Sequence, residues 1–199
     1  MPHILELDNL ELIGGLPVSI VGDPAVIGTE SGKAIAFNGI RDGLILKGNP
    51  LKNAVSFTIE IVFKPDASYP DNLEQRFFHI QNLKNENSRI LIELRLTENN
   101  FWFLDTFIKS DDSSLTLYAD KFLHPVGEWY HAALVYEKGT MKHFVNRVEE
   151  MSGLVNYAPI QEGDTSIGMR INKISWFKGA VKSVRITPEA LKPEDFMQF

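Results

Sequence analysis

The stretch Gly127–Asn146, GEWYHAALVYEKGTMKHFVN, decides the fold. Trp129–Tyr136 is a run of aromatic and aliphatic residues of the kind that suits a pleated surface. Glu137-Lys138-Gly139 is a turn signal, and Thr140–Val145 resumes a strand-like pattern. The segment therefore reads as a β-hairpin.

Working outward from it, short strand-like runs alternate with turn signals almost throughout. Ser56–Lys64 is the clearest. Phe57, Ile59, Ile61 and Phe63 fall on one face, with Ser56, Thr58, Glu60 and Lys64 on the other. This is the period-2 pattern of a half-buried strand. Pro65 ends it. Ala34–Phe37 stops at Asn38-Gly39, and Gly43–Leu46 stops at Gly48-Asn49-Pro50. Further runs are Arg76–Gln81, Arg89–Leu96, Phe101–Ile108, Leu115–Tyr118, Thr165–Ile171 and Ser175–Ile186. Helical periodicity is nearly absent. The exception is Thr187-Pro188, which reads as an N-cap with proline at the first helical position and predicts one or two short turns. No internal repeat or linker interrupts the 199 residues. The expectation is one all-β domain over 1–199, a two-sheet antiparallel jelly-roll sandwich.

Composition narrows the chemistry. The net charge is −6, without clustered Lys and Arg. That argues against nucleic acid or an anionic membrane as the partner. No apolar run approaches the ~20 residues of a membrane helix, so no membrane insertion is expected. The chain has no cysteine, which rules out disulfides, thiolate metal sites and cysteine nucleophiles. The N-terminus lacks the pattern of a secretory leader, so as it stands the chain reads as cytoplasmic; a leader already removed would make it secreted or periplasmic.

Four segments together resemble the concanavalin A-like lectin/glucanase superfamily, in its laminin G-like jelly-roll branch. They are Gly32-Lys-Ala-Ile-Ala-Phe-Asn-Gly39, Ser56-Phe-Thr-Ile-Glu-Ile-Val-Phe-Lys-Pro65, the hairpin, and Thr165-Ser-Ile-Gly168 with Phe177–Ile186 and Ala190-Leu191. They follow the family's order from about Gly32 to Phe196. Two positions depart from its pattern: Arg147 stands where glycine usually follows Asn146, and Lys182 replaces an aspartate. The resemblance implies two sheets packed face to face, one of them concave, with Trp129 and His131 as core residues. It implies a fold that hosts lectins, carbohydrate-binding modules, adhesion domains and some glycosidases.

A glycosidase needs two suitably separated carboxylates. The laminarinase-type enzymes of the superfamily carry E-x-D-x-x-E, and the nearest match here is Glu93-Leu-Arg-Leu-Thr-Glu98. Arg95 stands where the central aspartate belongs, and a cation there is expected to hold both glutamates ionised, against the general-acid role. The balance is against an enzyme, and no catalytic residue is assigned. Arg95 is instead read as a structural or ligand-positioning group beside Glu93 or Glu60.

Strand alternation suggests a ligand face. If Ile90, Ile92 and Leu94 point to the core, Glu93 and Arg95 point outward; if Ile167, Met169 and Ile171 do, Arg170 and Asn172 point outward. Phe103, Asp105 and Phe107 share one face of their strand, and Phe77, His79 and Gln81 share one face of theirs. Flat aromatics with a few oriented polar groups suit carbohydrate. The candidate ligand residues are therefore His79, Glu93, Arg95, Phe103, Asp105, Arg170, Asn172 and, at a rim, Trp176. The competing reading is a buried acid–base network that locks the sheet. No cofactor is implied. Calcium is common in the superfamily, but Asn38 with Asp42, Asp111 with Asp112, and Glu98-Asn99-Asn100 lack a ligand spacing, and no metal is assigned. The expected function is a non-catalytic module binding carbohydrate or another polar ligand, with a protein-interaction or structural domain as the alternative and an atypical glycosidase third.

Overall fold

In a computed structural model covering residues 1–199, the strands in chain order are β1 (His3–Glu6), β2 (Leu12–Ile13), β3 (Leu16–Val21), β4 (Ala25–Thr29), β5 (Gly32–Asn38), β6 (Gly43–Leu46), β7 (Phe57–Pro65), β8 (Glu74–Asn82), β9 (Ser88–Leu96), β10 (Phe101–Ser110), β11 (Ser113–Tyr118), β12 (His124–Pro125), β13 (Tyr130–Glu137), β14 (Thr140–Val145), β15 (Val148–Leu154), β16 (Gly163–Ile167) and β17 (Lys178–Thr187). They form two antiparallel sheets. One has eight strands in the order β15-β14-β13-β7-β17-β5-β4, with β1 also on β17. The other has nine, in the order β11-β10-β9-β8-β16-β6-β3-β2, with β12 on β10.

The hairpin is β13–β14. Lys138 and Gly139 both take positive φ (48° and 84°), the two-residue turn whose twist matches the strands it joins. A second such turn, Asn146-Arg147 (φ 48° and 70°), leads into β15. A non-glycine residue at that φ is uncommon. Here Arg147 gains two contacts that glycine lacks: its guanidinium donates to the carbonyls of Phe196 (3.0 Å) and Met197 (3.3 Å). Lys182, the other departure from the family pattern, is the extra residue of a β-bulge in β17, a device that bends a strand locally. Its carbonyl accepts from the Leu7 N–H and its Nζ reaches Ser31 Oγ at 2.6 Å.

Between the sheets lies a core of 37 buried residues with aromatics at its centre. The Phe63 ring stacks on Phe77 at 4.4 Å and meets Trp102 edge-on at 5.2 Å. Each such side chain contributes about 1.5–3 kcal/mol by leaving water. The alternation of β7 holds, with Phe57, Ile59, Ile61 and Phe63 fully buried.

Three expectations need correction. Thr187 does not cap a helix: it is the last residue of β17, paired with Thr58, and the short turn is a 3-10 turn at Pro193–Asp195. Trp129 is not core but half-buried, edging a cleft of about 520 Å³ with Lys64 and Ile27–Ser31; Trp102 takes the core position. His131 is buried, but it bonds Glu60 on the outer face of its sheet rather than packing between the sheets.

That outer face is covered by the chain's own C-terminal segment, here called the strap (residues 188–199). Phe196 packs on Ala133, Val135 and Phe144. Leu191 N–H donates to Thr58 Oγ1 (2.8 Å), and Thr58 Oγ1 donates to the Glu189 carbonyl (2.9 Å). Beneath the strap Glu60 is fully buried. Its carboxylate takes bonds from His131 Nε2 (3.0 Å), Arg185 Nε (2.5 Å) and the Met197 N–H (2.6 Å). Glu60 therefore belongs to the strap and lies in the sheet opposite Arg95, so the pairing of those two is ruled out. No helix is long and apolar enough to cross a membrane.

Candidate functional site

The outer face of the nine-stranded sheet carries most of the candidate residues, and the strand register arranges them in rows. The first row is Phe103–Arg95–Glu74 across β10, β9 and β8. The second is Tyr118–Asp105–Glu93–Arg76, the third Phe107–Leu91–His79–Ser166, and the fourth Lys109–Arg89–Gln81–Asp164. The alternation of β9 and β10 holds: Ile90, Ile92 and Leu94, with Trp102 and Leu104, are buried in the core, so Glu93, Arg95 and Asp105 face outward. On β8 it fails at one point. Phe77 is the extra residue between Arg76 and Phe78, so both phenylalanines enter the core, and the outward residues are Glu74, Arg76, His79 and Gln81. Such a bulge reverses the facing of every residue on one side of it.

The first two rows form a charge network. Arg95 Nε donates to Asp105 Oδ2 at 2.8 Å, and its Nη1 bonds Glu74. Arg76 pairs with Glu74 and lies 2.6 Å from Glu93 Oε2, although the Arg76 Nε–H is not aligned for a hydrogen bond to it. Arg95 approaches Glu93 only to 3.9 Å. Arg95 therefore does not keep Glu93 ionised. Burial, reinforced by the nearby Asp105 charge, outweighs both guanidiniums and pushes the Glu93 carboxyl up to about 7, because a buried carboxylate loses its hydration. Burial also pushes Asp105 above the usual carboxylate range, against its bond from Arg95. Glu74 is the reverse case: burial is offset by Arg76 and Arg95, and its pKa lies below the ordinary value.

Above this network the surface is aromatic. Tyr118 is 45% exposed and meets Phe103 edge-on at 4.8 Å. The Arg95 guanidinium lies 5.7 Å over the Tyr118 ring, within the range of a cation–π contact. Phe103 itself is largely covered. Tyr118, Glu74, Arg76 and Arg89 escape the sequence reading. Tyr118 is visible there only as the end of a strand run, and its place opposite Asp105 depends on a register that no local signal specifies.

The remaining candidates separate. The strand expected over Thr165–Ile171 stops at Ile167, where Gly168 takes φ 81°, and residues 168–175 turn over the sheet. In this turn the Ile171 N–H donates to His79 Nδ1 at 3.1 Å. That bond fixes His79 as the neutral tautomer protonated at Nε2. Burial and three arginines, Arg170, Arg89 and Arg76, lower its pKa to about 3. Arg170 is half-buried beside it. Asn172 is exposed in the turn. Trp176 is half-buried, and its carbonyl accepts from Asn72 Nδ2 at 2.7 Å.

Two of the calcium candidates hold turns. Asp42 accepts from the N–H groups of Asp23 (2.8 Å) and Asn38 (3.1 Å). Asp111 Oδ1 accepts from Asn85 at 2.7 Å. Short polar side chains commonly serve turns in this way. No set of three or more His, Asp or Glu side chains is arranged to hold a metal. A larger cleft, about 570 Å³, lies beside the strap among Lys138, Lys142, Glu149 and Leu191. Its one aromatic, Phe144, is buried, and its Lys142–Glu149 pair (3.0 Å) lies on the surface, so it offers no exposed ring beside a held cation.

The sandwich and its sequence place this protein in a class. Residues 22–196 match the concanavalin A-like lectin/glucanases superfamily, and the chain belongs to it, as a laminin G-like jelly roll. A comparison with curated protein sequences finds no match. Among solved structures it is similar to domain 4 of an extracellular arabinanase from Geobacillus stearothermophilus in complex with arabinotriose (TM-score 0.73, 22% identity, 96% of this chain and 94% of that one). It is similar to the binding domain of botulinum neurotoxin DC in complex with SialylT (TM-score 0.72, 15% identity, 98% of this chain but 49% of that one). A third is a heptameric SAP-like pentraxin from Limulus polyphemus (TM-score 0.59, 16% identity, 87% of this chain and 78% of that one). At these identities the likeness is one of fold.

Proposed function

We propose that this protein is a non-catalytic binding module that takes a carbohydrate on the outer face of its nine-stranded sheet. One observation carries the reading. Tyr118 offers an exposed ring next to Arg95, whose guanidinium is held in place by Asp105 and Glu74. A sugar ring stacks its C–H face on an aromatic while its hydroxyls find fixed donors and acceptors, and this corner holds groups of both kinds. The arabinotriose complex of the arabinanase domain supports the choice of ligand class.

A broad glycan array followed by calorimetry tests the reading with wild type, Tyr118→Ala and Arg95→Ala. Binding by wild type that weakens about fivefold or more in Tyr118→Ala is expected, given roughly 1 kcal/mol or more from a stacked aromatic. No binding by folded protein across the array would remove it. Arg95→Ala leaves Asp105 without its partner, while Glu74 keeps Arg76, so its folding is checked by circular dichroism first.

A hydrolase reading gains from one feature, the Glu93 carboxyl pushed up to about 7, in the range of a general acid. Its side chain is only 5% exposed and Arg76 lies 2.6 Å from it, an arrangement that speaks for a place in the sheet's charge network. Polysaccharide hydrolysis by wild type and not by Glu93→Gln would reverse that judgement.

A further inference from the structure

The third and fourth rows of the same face, with the turn above them, carry cations that the network does not use. Arg89 and Arg170 are half-buried, and neither makes an ion pair with any carboxylate. The Nε of each is buried without a hydrogen-bond partner. They lie close enough for Arg170 to help lower the Arg89 pKa, after burial itself. His79, fully buried, feels the charge of both. Its Nδ1 is occupied by the Ile171 N–H, and its Nε2–H is a donor with no partner.

The surroundings do not neutralise this group. Arg89 Nη1 bonds the Glu86 carbonyl, and its guanidinium lies 5.2 Å over the Phe107 ring. The Glu86 and Glu93 charges act on Arg89 only at a distance. Opposite Arg89 on β10 is Lys109, a further cation. Asp164, beyond Gln81 in the same row, is already paired with Lys47 at 2.7 Å. In a chain of net charge −6, Arg89 and Lys109 stand opposite each other on the sheet, and Arg170 in the turn above flanks the same neutral imidazole as Arg89.

We infer that Arg89, Arg170 and His79 form a subsite for the oxyanion of an acidic saccharide, a sugar carboxylate or sulfate. Two guanidiniums supply charge and directed N–H donors, and the imidazole N–H a third donor fixed in its tautomer. An anion there meets groups that are otherwise buried unsatisfied. The inference rests on the carbohydrate reading above and extends it. A saccharide stacked at Tyr118 would lie on the same face, with its acidic group toward β8 and the 168–175 turn.

Calorimetry with oligogalacturonate, a sulfated oligosaccharide and a neutral arabino-oligosaccharide of matching length tests it, at low and at physiological salt. Expected is binding of one acidic probe at least tenfold tighter than the neutral one, weakening with salt, with that preference lost in Arg170→Ala. Arg170 lies in a turn, so its loss leaves the core intact. Arg89→Lys keeps the charge but loses the guanidinium fork, and should retain only part of the preference. Equal binding of acidic and neutral probes, unchanged in Arg170→Ala, would overturn the subsite while leaving the carbohydrate reading standing. Binding of none of the three, with a blank glycan array, would remove both.

Discussion

The two outer sheet faces place buried acids beside arginines and arrive at opposite outcomes. On the eight-stranded sheet Glu60 receives three donors, from His131, Arg185 and the Met197 N–H. Burial is outweighed by those bonds and its pKa falls below the usual range. On the nine-stranded sheet Glu93 and Asp105 are buried with fewer well-aligned donors, and burial prevails. One face is finished by its own chain, the strap. The other is covered only in part, by the 168–175 turn over His79, and leaves Glu93 Oε2, Asp105 Oδ1 and His79 Nε2 without hydrogen-bond partners. A saturated acid locks structure; the network on the other face keeps unpaired donors and acceptors beneath an exposed ring.

The comparison can be broken by substitution. The largest effect is expected for Glu60→Ala, which leaves Arg185 and His131 unpaired and frees the strap. A loss of about 3–5 kcal/mol in urea unfolding is expected, with faster amide exchange over residues 189–199. Next is Phe196→Ala, which removes the strap's anchor on Ala133, Val135 and Phe144. It should cost about 3 kcal/mol in the same measurement.

Glu93→Gln gives a smaller effect that changes with pH. The folded pKa, about 7, lies above the 4.5 of the free side chain. The wild-type contribution is therefore fully present below about pH 4.5 and is lost as pH rises through 7. Glutamine imitates the protonated acid. At pH 5 the variant should match wild type. At pH 8 it should be more stable by roughly 1–2 kcal/mol, the sign that a raised carboxyl pKa requires. Glu60 gives the opposite slope. Its pKa is lowered from 4.5, so its contribution is present above about pH 4.5 and is lost as pH falls through the lowered folded value. Unfolding free energies of both variants from pH 3 to 8 check both signs. The smallest stability effect, under about 0.5 kcal/mol, is expected for Tyr118→Ala, a surface substitution.

What the sequence shows follows from the range of each signal. Period-2 alternation is local, and it assigns the core faces of β7, β9 and β10 correctly. It breaks where one residue is inserted. The bulge at Phe77 is not announced by composition, so the outward face of β8 is misread and Arg76 overlooked. The turn at Gly168 ends a strand expected to run to Ile171. Long-range partners are beyond a local pattern: Glu60 looks like a solvated residue until Met197, 137 positions later, closes over it. The site is legible as residue types on faces, and the rows that join Tyr118 to Asp105 or Arg89 to the Arg170 turn come only from register and tertiary path.

The central claim is that the open face of the nine-stranded sheet, and not the strapped one, receives a saccharide. Backbone NMR of the labelled protein, titrated with whichever oligosaccharide the array identifies, tests it most directly. Shifts confined to β8–β11 and the 168–175 turn, centred on Arg95, Phe103 and Tyr118 and abolished in Tyr118→Ala, are predicted. Shifts centred on the strap or on the Trp129 cleft, unchanged in Tyr118→Ala, would contradict it.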